Sequence, residues 1–381
     1  MTTQSRNNTN SPAPPASWSD QLARLACEPL AMCPTFPRIA QRHEAWWSQQ
    51  SIGRPIFFGS VNSNAYRQVD RGLDLLDDAG AWLDAKLADM RTEHRVGDAL
   101  PTVRVDLGPA ALGPLMGARA ESGANTVWTH ATIDDQWSNC PDWLLHDDNL
   151  WWRRLQVLTE RAAEHAAGQY LVCAPDIGGA SDTLLNMRGP ESICIDTLEQ
   201  PQRIVDAMDA IFPTWWRAFT FLYERTLARN AGLVQWLGLW SSRPYVIPTC
   251  DLNFLLGPAE FESLCLPDIA RIAQAAGRAV FHLDGPQAAG HIDALLTLPQ
   301  LQAIQFTPGE STPSALAWVD MFRKIQEAGK SVLVVCPPDE LIELCRQLPE
   351  PGLAILTFAD DAPQLDELFE RFCRLYKAEP A

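Results

Sequence analysis

Positive charge is the scarcest resource in this sequence. Its 381 residues hold 30 Lys and Arg against 47 Asp and Glu, a formal net charge of −17. Sequence-independent affinity for phosphate backbones depends on clustered cations, so nucleic acid is excluded as a partner. Long apolar runs are missing too. None approaches the roughly 20 residues a helix needs to cross a bilayer, which excludes an integral membrane protein. The N-terminal stretch MTTQSRNNTNSPAPPASW has no apolar core of the secretory kind. Its Pro, Ser and Asn content reads as a flexible tail over residues 1–17, ahead of a single domain over 18–381, and the chain is expected in the cytoplasm. Ten cysteines are present without one CxxC pair; in a reducing compartment such scattered thiols serve mostly as small buried hydrophobes. A phosphate-binding loop, a GxSxG elbow and an HExxH helix are all missing, and the glycines of LGPAALGPLMG (107–117) lack the nucleotide-loop spacing.

What is there is a regular alternation. Short apolar runs occur at IFFGS (56–60), TVRVD (102–106), YLVCA (170–174), VQWLGLW (234–240), AVFHLD (279–284), AIQFT (303–307), VLVVC (332–336) and AILTF (354–358). Stretches of helical period lie between them, such as 201–229, 258–277, 315–329 and 338–348. Near-continuous apolar strands alternating with helices predict a parallel sheet covered on its faces. Eight such runs over this length favour an α/β fold of the (β/α)8 TIM-type barrel class. The Trp-rich stretch within 107–169 is expected to form an inserted lid, hairpin or loop.

In such a barrel the active site forms at the C-terminal ends of the strands. FHLDGP (281–286) puts His282 and Asp284 at one of them. Side chains alternate along a strand, so the two point the same way, toward the mouth if Phe281 and Leu283 face the helices. A His with a neighbouring carboxylate binds a metal or moves protons. Other strand ends collect similar residues: Asp176 and Asp182 after YLVCA; Arg243, Tyr245, Cys250 and Asp251 after VQWLGLW; Gln305 and Thr307 in AIQFT; and Cys336 closing VLVVC. Each also has a structural explanation. Asp182 with Arg188 would make a helix-start ion pair, Asp251 an N-cap, Cys336 a buried thiol, and Trp236 and Trp240 core packing. Their accumulation at several strand ends at once is what a structural explanation accounts for less well.

At these stretches the sequence resembles the uroporphyrinogen decarboxylase superfamily, which also contains methylcobamide:thiol methyltransferases. The resemblance runs from about Arg38 to the C-terminus and is carried by RHEAWWSQQSIGRPIFF (42–58), DIGGASDTLLNMRGPESICIDTLEQPQRI (176–204), GLWSSRPYVIPTCDLNFLLGPAEFESLCLPDI (238–269), FHLDGPQAAGHIDALLTLPQLQAIQFTPG (281–309) and CPPDELIELC (336–345). It implies a methyl- or one-carbon-transfer enzyme acting on a small substrate. The thiol methyltransferases hold zinc through a His-x-Cys motif and a later Cys, and zinc turns the bound thiol into an attacking thiolate. Here His282 matches the motif His, Asp284 stands in place of its Cys, and Ala359 occupies the strand end of the later Cys. With Cys250 from another strand end, His282, Asp284 and Cys250 make a set that zinc accepts, with one position open. Without metal, Asp284 would orient His282 as a general acid/base.

On this resemblance Asp176, His282 and Asp284 are the expected catalytic residues, and Arg188, Trp240, Tyr245, Asp251 and Gln305 the expected substrate contacts. A corrinoid on a partner protein would be the methyl source, and nothing opposes a homo-oligomer. The decarboxylases' RQAGRY-like segment is absent, the matching region reading RPIFFGSVNSNAYRQ. Two further readings stay open: a metal-independent decarboxylase in which Asp176 stabilises a protonated intermediate, and a small-ligand-binding barrel without catalysis.

Overall fold

The computed structural model describes residues 28–61, 76–122, 127–230, 232–309 and 314–379. The tail expected over 1–17 and the domain start at 18 lie outside the described residues. In chain order the strands are β1 (Ile56–Val61), β2 (Arg95–Gly97), β3 (Thr102–Arg104), β4 (Ala120–Ser122), β5 (Val127–Thr129), β6 (Leu171–Ala174), β7 (Leu233–Gln235), β8 (Trp240–Ser241), β9 (Val280–Asp284), β10 (Ala303–Thr307), β11 (Ser331–Val335) and β12 (Leu353–Ala359). Every one of the eight apolar runs contains a strand.

They form an α/β fold with parallel sheets. One sheet has the order β2-β1-β12-β11-β10-β9 and a second β3-β6-β7-β8, while β4 and β5 make a separate hairpin. All neighbours in the two larger sheets are parallel except β2 on β1 and β8 on β7. The first strand pairs with the last, so the chain curls back on itself. Beyond β8 an extended segment continues against the free edge of β9: Val280 N–H donates to Val246 O and His282 N–H to Pro248 O, both at 3.0 Å. The barrel expectation is thus met in its parallel α/β character, but the strand ladder comes in two pieces, with β1 and β3 in different sheets.

VQWLGLW is a further correction, because it is not one strand. Gly238 adopts φ +77°, which a side chain would resist, and its N–H closes a turn onto Gln235 O at 2.8 Å. The chain reverses there, and Trp240 pairs antiparallel with Val234.

Two apolar layers follow from strand alternation. Phe281, Leu283, Ile304, Phe306, Val332, Val334 and Ile355 pack outward with the helices, among them Ile325 of Val319–Glu327 and Leu368 of Ala362–Tyr376. Val280, Ala303, Leu333, Ala354, Ile56 and Phe58 form the inner layer with Trp46, Trp47 and Tyr245. Those two tryptophans end the helix Phe36–Trp47, which caps the N-terminal ends of the strands. Ser331 Oγ donates to Trp46 O at 2.5 Å, Trp47 Nε1 to Trp240 O at 2.9 Å and Gln49 Nε2 to Lys330 O at 2.6 Å. The Trp-rich insertion forms the β4–β5 hairpin and a long loop ending at Asn149, whose side chain caps the helix Leu150–Ala166.

Candidate functional site

Parallel strands in register bring distant residues to one level. His282 lies beside Gln305 and Asp284 beside Thr307 across β9 and β10. On the inward side β9 reads Val280, His282, Asp284 and β10 reads Ala303, Gln305, Thr307, apolar at the start and polar at the end. His282 Nδ1 is hydrogen-bonded to Gln305 Oε1, and Gln305 Nε2 donates to Thr307 Oγ1 at 2.9 Å. The amide is oriented by its hydrogen bonds, and its oxygen can only accept. Nδ1 thus faces the amide oxygen, and Nε2 lies on the other side of the ring. The edge-on indole of Trp236, 5.0 Å away between ring centres, flanks the imidazole.

Carboxylates surround this pair. Asp176 follows β6, accepting the Gly178 N–H at 2.8 Å, and Ala111 N–H donates to its carbonyl at 3.0 Å. Asp182, in the first turn of the helix Ala180–Arg188, is buried; it accepts the Asp251 N–H at 2.6 Å and the Thr249 hydroxyl. Asp251 itself opens to solvent. Burial and the charge of Asp251 push the Asp182 carboxyl well above the usual range, against the pull of its hydrogen bonds. Although the residue is exposed overall, desolvation of its carboxyl by the surrounding protein raises Asp251 as well; His282 draws it down and Asp284 pushes it further up. Asp176 is raised by burial and lowered by the Gly178 N–H, Arg104 and His282. His282 thus acts electrostatically on both Asp176 and Asp251, and the cluster carries more negative than positive charge.

The remaining sequence candidates sit elsewhere. Arg188 binds Asp196 through Nε at 2.6 Å, donates to the carbonyls of Asp134 and Asp135, and stacks on Trp137 5.2 Å away. It ties the Trp-rich loop to the helices. Tyr245 is fully buried, its hydroxyl donating to Leu239 O at 2.6 Å and accepting from Gln235 N–H. Trp240 packs edge-on against Phe36. Both aromatics belong to the closed end, to which the turn at Gly238 returns the chain. Gln305 is fully buried beneath His282.

The residues present do not fit zinc. Cys250 is 2% exposed and turns toward Cys265, whose hydrogen bond, with burial, pushes its thiol well up. Ala359, buried at the end of β12, offers no donor atom. No group of three or more His, Cys, Asp or Glu side chains placed to hold a metal ion occurs among the described residues. Cys336 donates to Pro337 O at 3.4 Å and is likewise pushed up by burial.

Sequence reasoning passed over Arg104. It ends β3, pairs with Asp106 at 3.5 Å and is the cation that lowers Asp176. The signal was there in TVRVD, which repeats the alternation of FHLD: a cationic or basic side chain, one apolar residue, then Asp. Two clefts of 630 and 550 Å³ lie apart from these groups; the larger is lined by Cys33, His94, Arg95 and Asp366. Its ionic groups are paired, His94 to Asp366 and Arg95 to Glu93, each at 2.8 Å.

No family model matches this sequence, and no curated protein matches it. Among solved structures, a methyltransferase from Methanosarcina mazei superposes with a TM-score of 0.61 over 89% of this chain and 99% of that one, at 12% identity. At that identity the likeness is one of fold.

Proposed function

We propose that this protein transfers a methyl or other one-carbon group to a small acceptor, on a (β/α)8 barrel of the uroporphyrinogen decarboxylase superfamily. The observation that carries the reading is the His282 imidazole, held by Gln305 at a strand end among carboxylates. The fold shared with a methyltransferase supports it.

In this scheme His282 Nε2 takes the proton of the acceptor's S–H or N–H group as that atom attacks the methyl carbon. The bond between carbon and donor breaks, and its electron pair leaves with the donor. Asp176 and Asp251 stabilise the imidazolium that forms. Asp284, at the end of β9, adds to the negative field at the mouth. A methylated corrinoid on a partner protein serves as donor. The acid excess suits a neutral or cationic acceptor; a polycarboxylate would meet Asp176, Asp251 and Asp284 with Arg188 already paired, which disfavours decarboxylation of the porphyrinogen type.

The test is methyl transfer from methylcobalamin to a panel of thiols and amines, followed by the cobalamin spectrum. Turnover is expected to survive chelation and to fall about 10²- to 10⁴-fold in His282→Ala. Carbon dioxide release from a carboxylated substrate without methyl transfer would replace this reading with the decarboxylase. Ligand binding without any turnover, unchanged in His282→Ala, would replace it with the binding barrel.

A further inference from the structure

We propose that Gln305 is a positioning residue that holds His282 in its Nδ1–H tautomer, making Nε2 the nitrogen that reacts. The role of Nε2 rests on the methyl-transfer reading above; the tautomer does not.

A glutamine amid the apolar residues of a central parallel strand needs a reason. Its neighbours Ile304 and Phe306 are fully buried, and so is Gln305. Burying an amide without hydrogen bonds is costly, and an aliphatic side chain would fill the place without that penalty. Both ends of this amide are used instead, Oε1 by His282 Nδ1 and Nε2 by Thr307 Oγ1. The three side chains form one chain of contacts across β9 and β10, set by the register that pairs His282 with Gln305 and Asp284 with Thr307.

Two proton arrangements satisfy such a chain in the neutral ring. With Oε1 toward the histidine, Nδ1 carries the proton; with the amide turned over, Nε2 carries it and Thr307 donates to the amide oxygen. Only the first also suits the ring after it has accepted a proton, because Nδ1–H keeps its acceptor throughout. The turned-over amide would set an N–H against an N–H at that moment. Gln305 therefore acts through His282 and without touching substrate, in the way that a second partner fixes the tautomer of a working histidine.

The experiment is nitrogen NMR on full-length protein labelled with ¹⁵N-histidine. Seven histidines contribute, and the spectrum of His282→Gln identifies the signals of His282 by their loss. In the wild type, at a pH where the ring is neutral, Nδ1 is expected to resonate as a protonated nitrogen and Nε2 as an unprotonated one. Gln305→Glu keeps an acceptor facing Nδ1 and retains that pattern. Gln305→Leu removes the acceptor, and the pattern shifts toward Nε2–H or a mixture. An Nε2–H wild type overturns the proposal, as does an unchanged pattern in folded Gln305→Leu. The wild-type spectrum decides the tautomer by itself should the leucine variant fail to fold. In the methyl-transfer assay Gln305→Leu lowers kcat about 10²-fold with KM unchanged, and Gln305→Glu recovers most of the loss. The Nδ1–H tautomer in a protein without methyl transfer overturns the function and leaves the positioning role standing; methyl transfer with Nε2–H does the reverse.

Discussion

Charged side chains gather at both ends of the parallel strands, and the two ends treat them in opposite ways. At the N-terminal end Asp98 is fully buried between two guanidinium groups, taking Arg54 at 2.6 and 3.1 Å and Arg42 at 2.9 Å, and it also accepts the Phe57 N–H at 3.0 Å. Burial alone would raise its carboxyl; Arg54 and Arg42 hold it below the usual range. At the C-terminal end Asp176, Asp182 and Asp251 crowd one another with Arg104 and His282 as the opposing groups, and all three carboxyls are raised. The histidines differ in the same sense. His43 at the closed end is fully buried and accepts the Trp240 N–H on Nδ1 at 2.7 Å, whereas His282 is half-buried with Nδ1 bonded to the Gln305 side chain. Charge that is cancelled in place holds a fold together. Charge left unbalanced at a strand end is held there by the rest of the fold and awaits a ligand or a proton.

The contrast is broken most severely at Asp98. Replacing it by Ala leaves two arginines at the closed end without their carboxylate, and removal of one partner from a buried ion pair costs about 3–5 kcal/mol. Urea unfolding should show that loss; a change under 1 kcal/mol would mean that the closed end is not held by its charges. His43 comes next. Burial lowers its pKa from 6.5 to about 4, so the unfolded chain binds the proton first. Its contribution is complete above pH 6.5 and is lost as the pH falls through 4, by about 3 kcal/mol at 1.4 kcal/mol per unit. His43→Gln should flatten that part of the stability profile, and an unaltered slope would refute the shift.

The smallest effect has the opposite sign. Asp251→Asn relieves the repulsion with Asp182 and Asp284 and should raise stability by about 1 kcal/mol. The raised carboxyls stabilise the fold below pH 3.8 and lose that contribution as the pH climbs through their folded values, so the gain should grow from acid toward neutral pH. Thermal melts of the two proteins across pH 3–7 would decide it. A variant less stable than wild type at neutral pH would show that Asp251 is a structural residue after all.

Much of this was legible locally. Each of the eight apolar runs marked strand, and FHLDGP marked the polar end of β9 because alternation along a strand is a property of its own backbone. Arg104 was equally legible in TVRVD, where Asp106 stands two residues on, but its link to Asp176 on another strand was not. The surroundings of other candidates depend on features no local pattern carries. Trp240 and Tyr245 belong to the closed end because one glycine turns the chain back at 238. Arg188 is taken by Asp196 and a loop more than fifty residues earlier. Cys250 faces Cys265 because the turn at 251–255 directs it inward.

The sequence by itself determined the alternation of strand and helix, the acid excess, and the residue types that stand at the strand ends, all of which follow from hydrophobic period and composition. Only the tertiary structure decided which of those residues meet. The register between β9 and β10 makes Gln305 a partner of His282, and the packing of the helix Ala180–Arg188 against the turn at Asp251–Leu255 sets Asp182 against Asp251. Those contacts depend on how strands far apart in the chain align, and that alignment is settled by the packing of whole layers, which no short stretch contains.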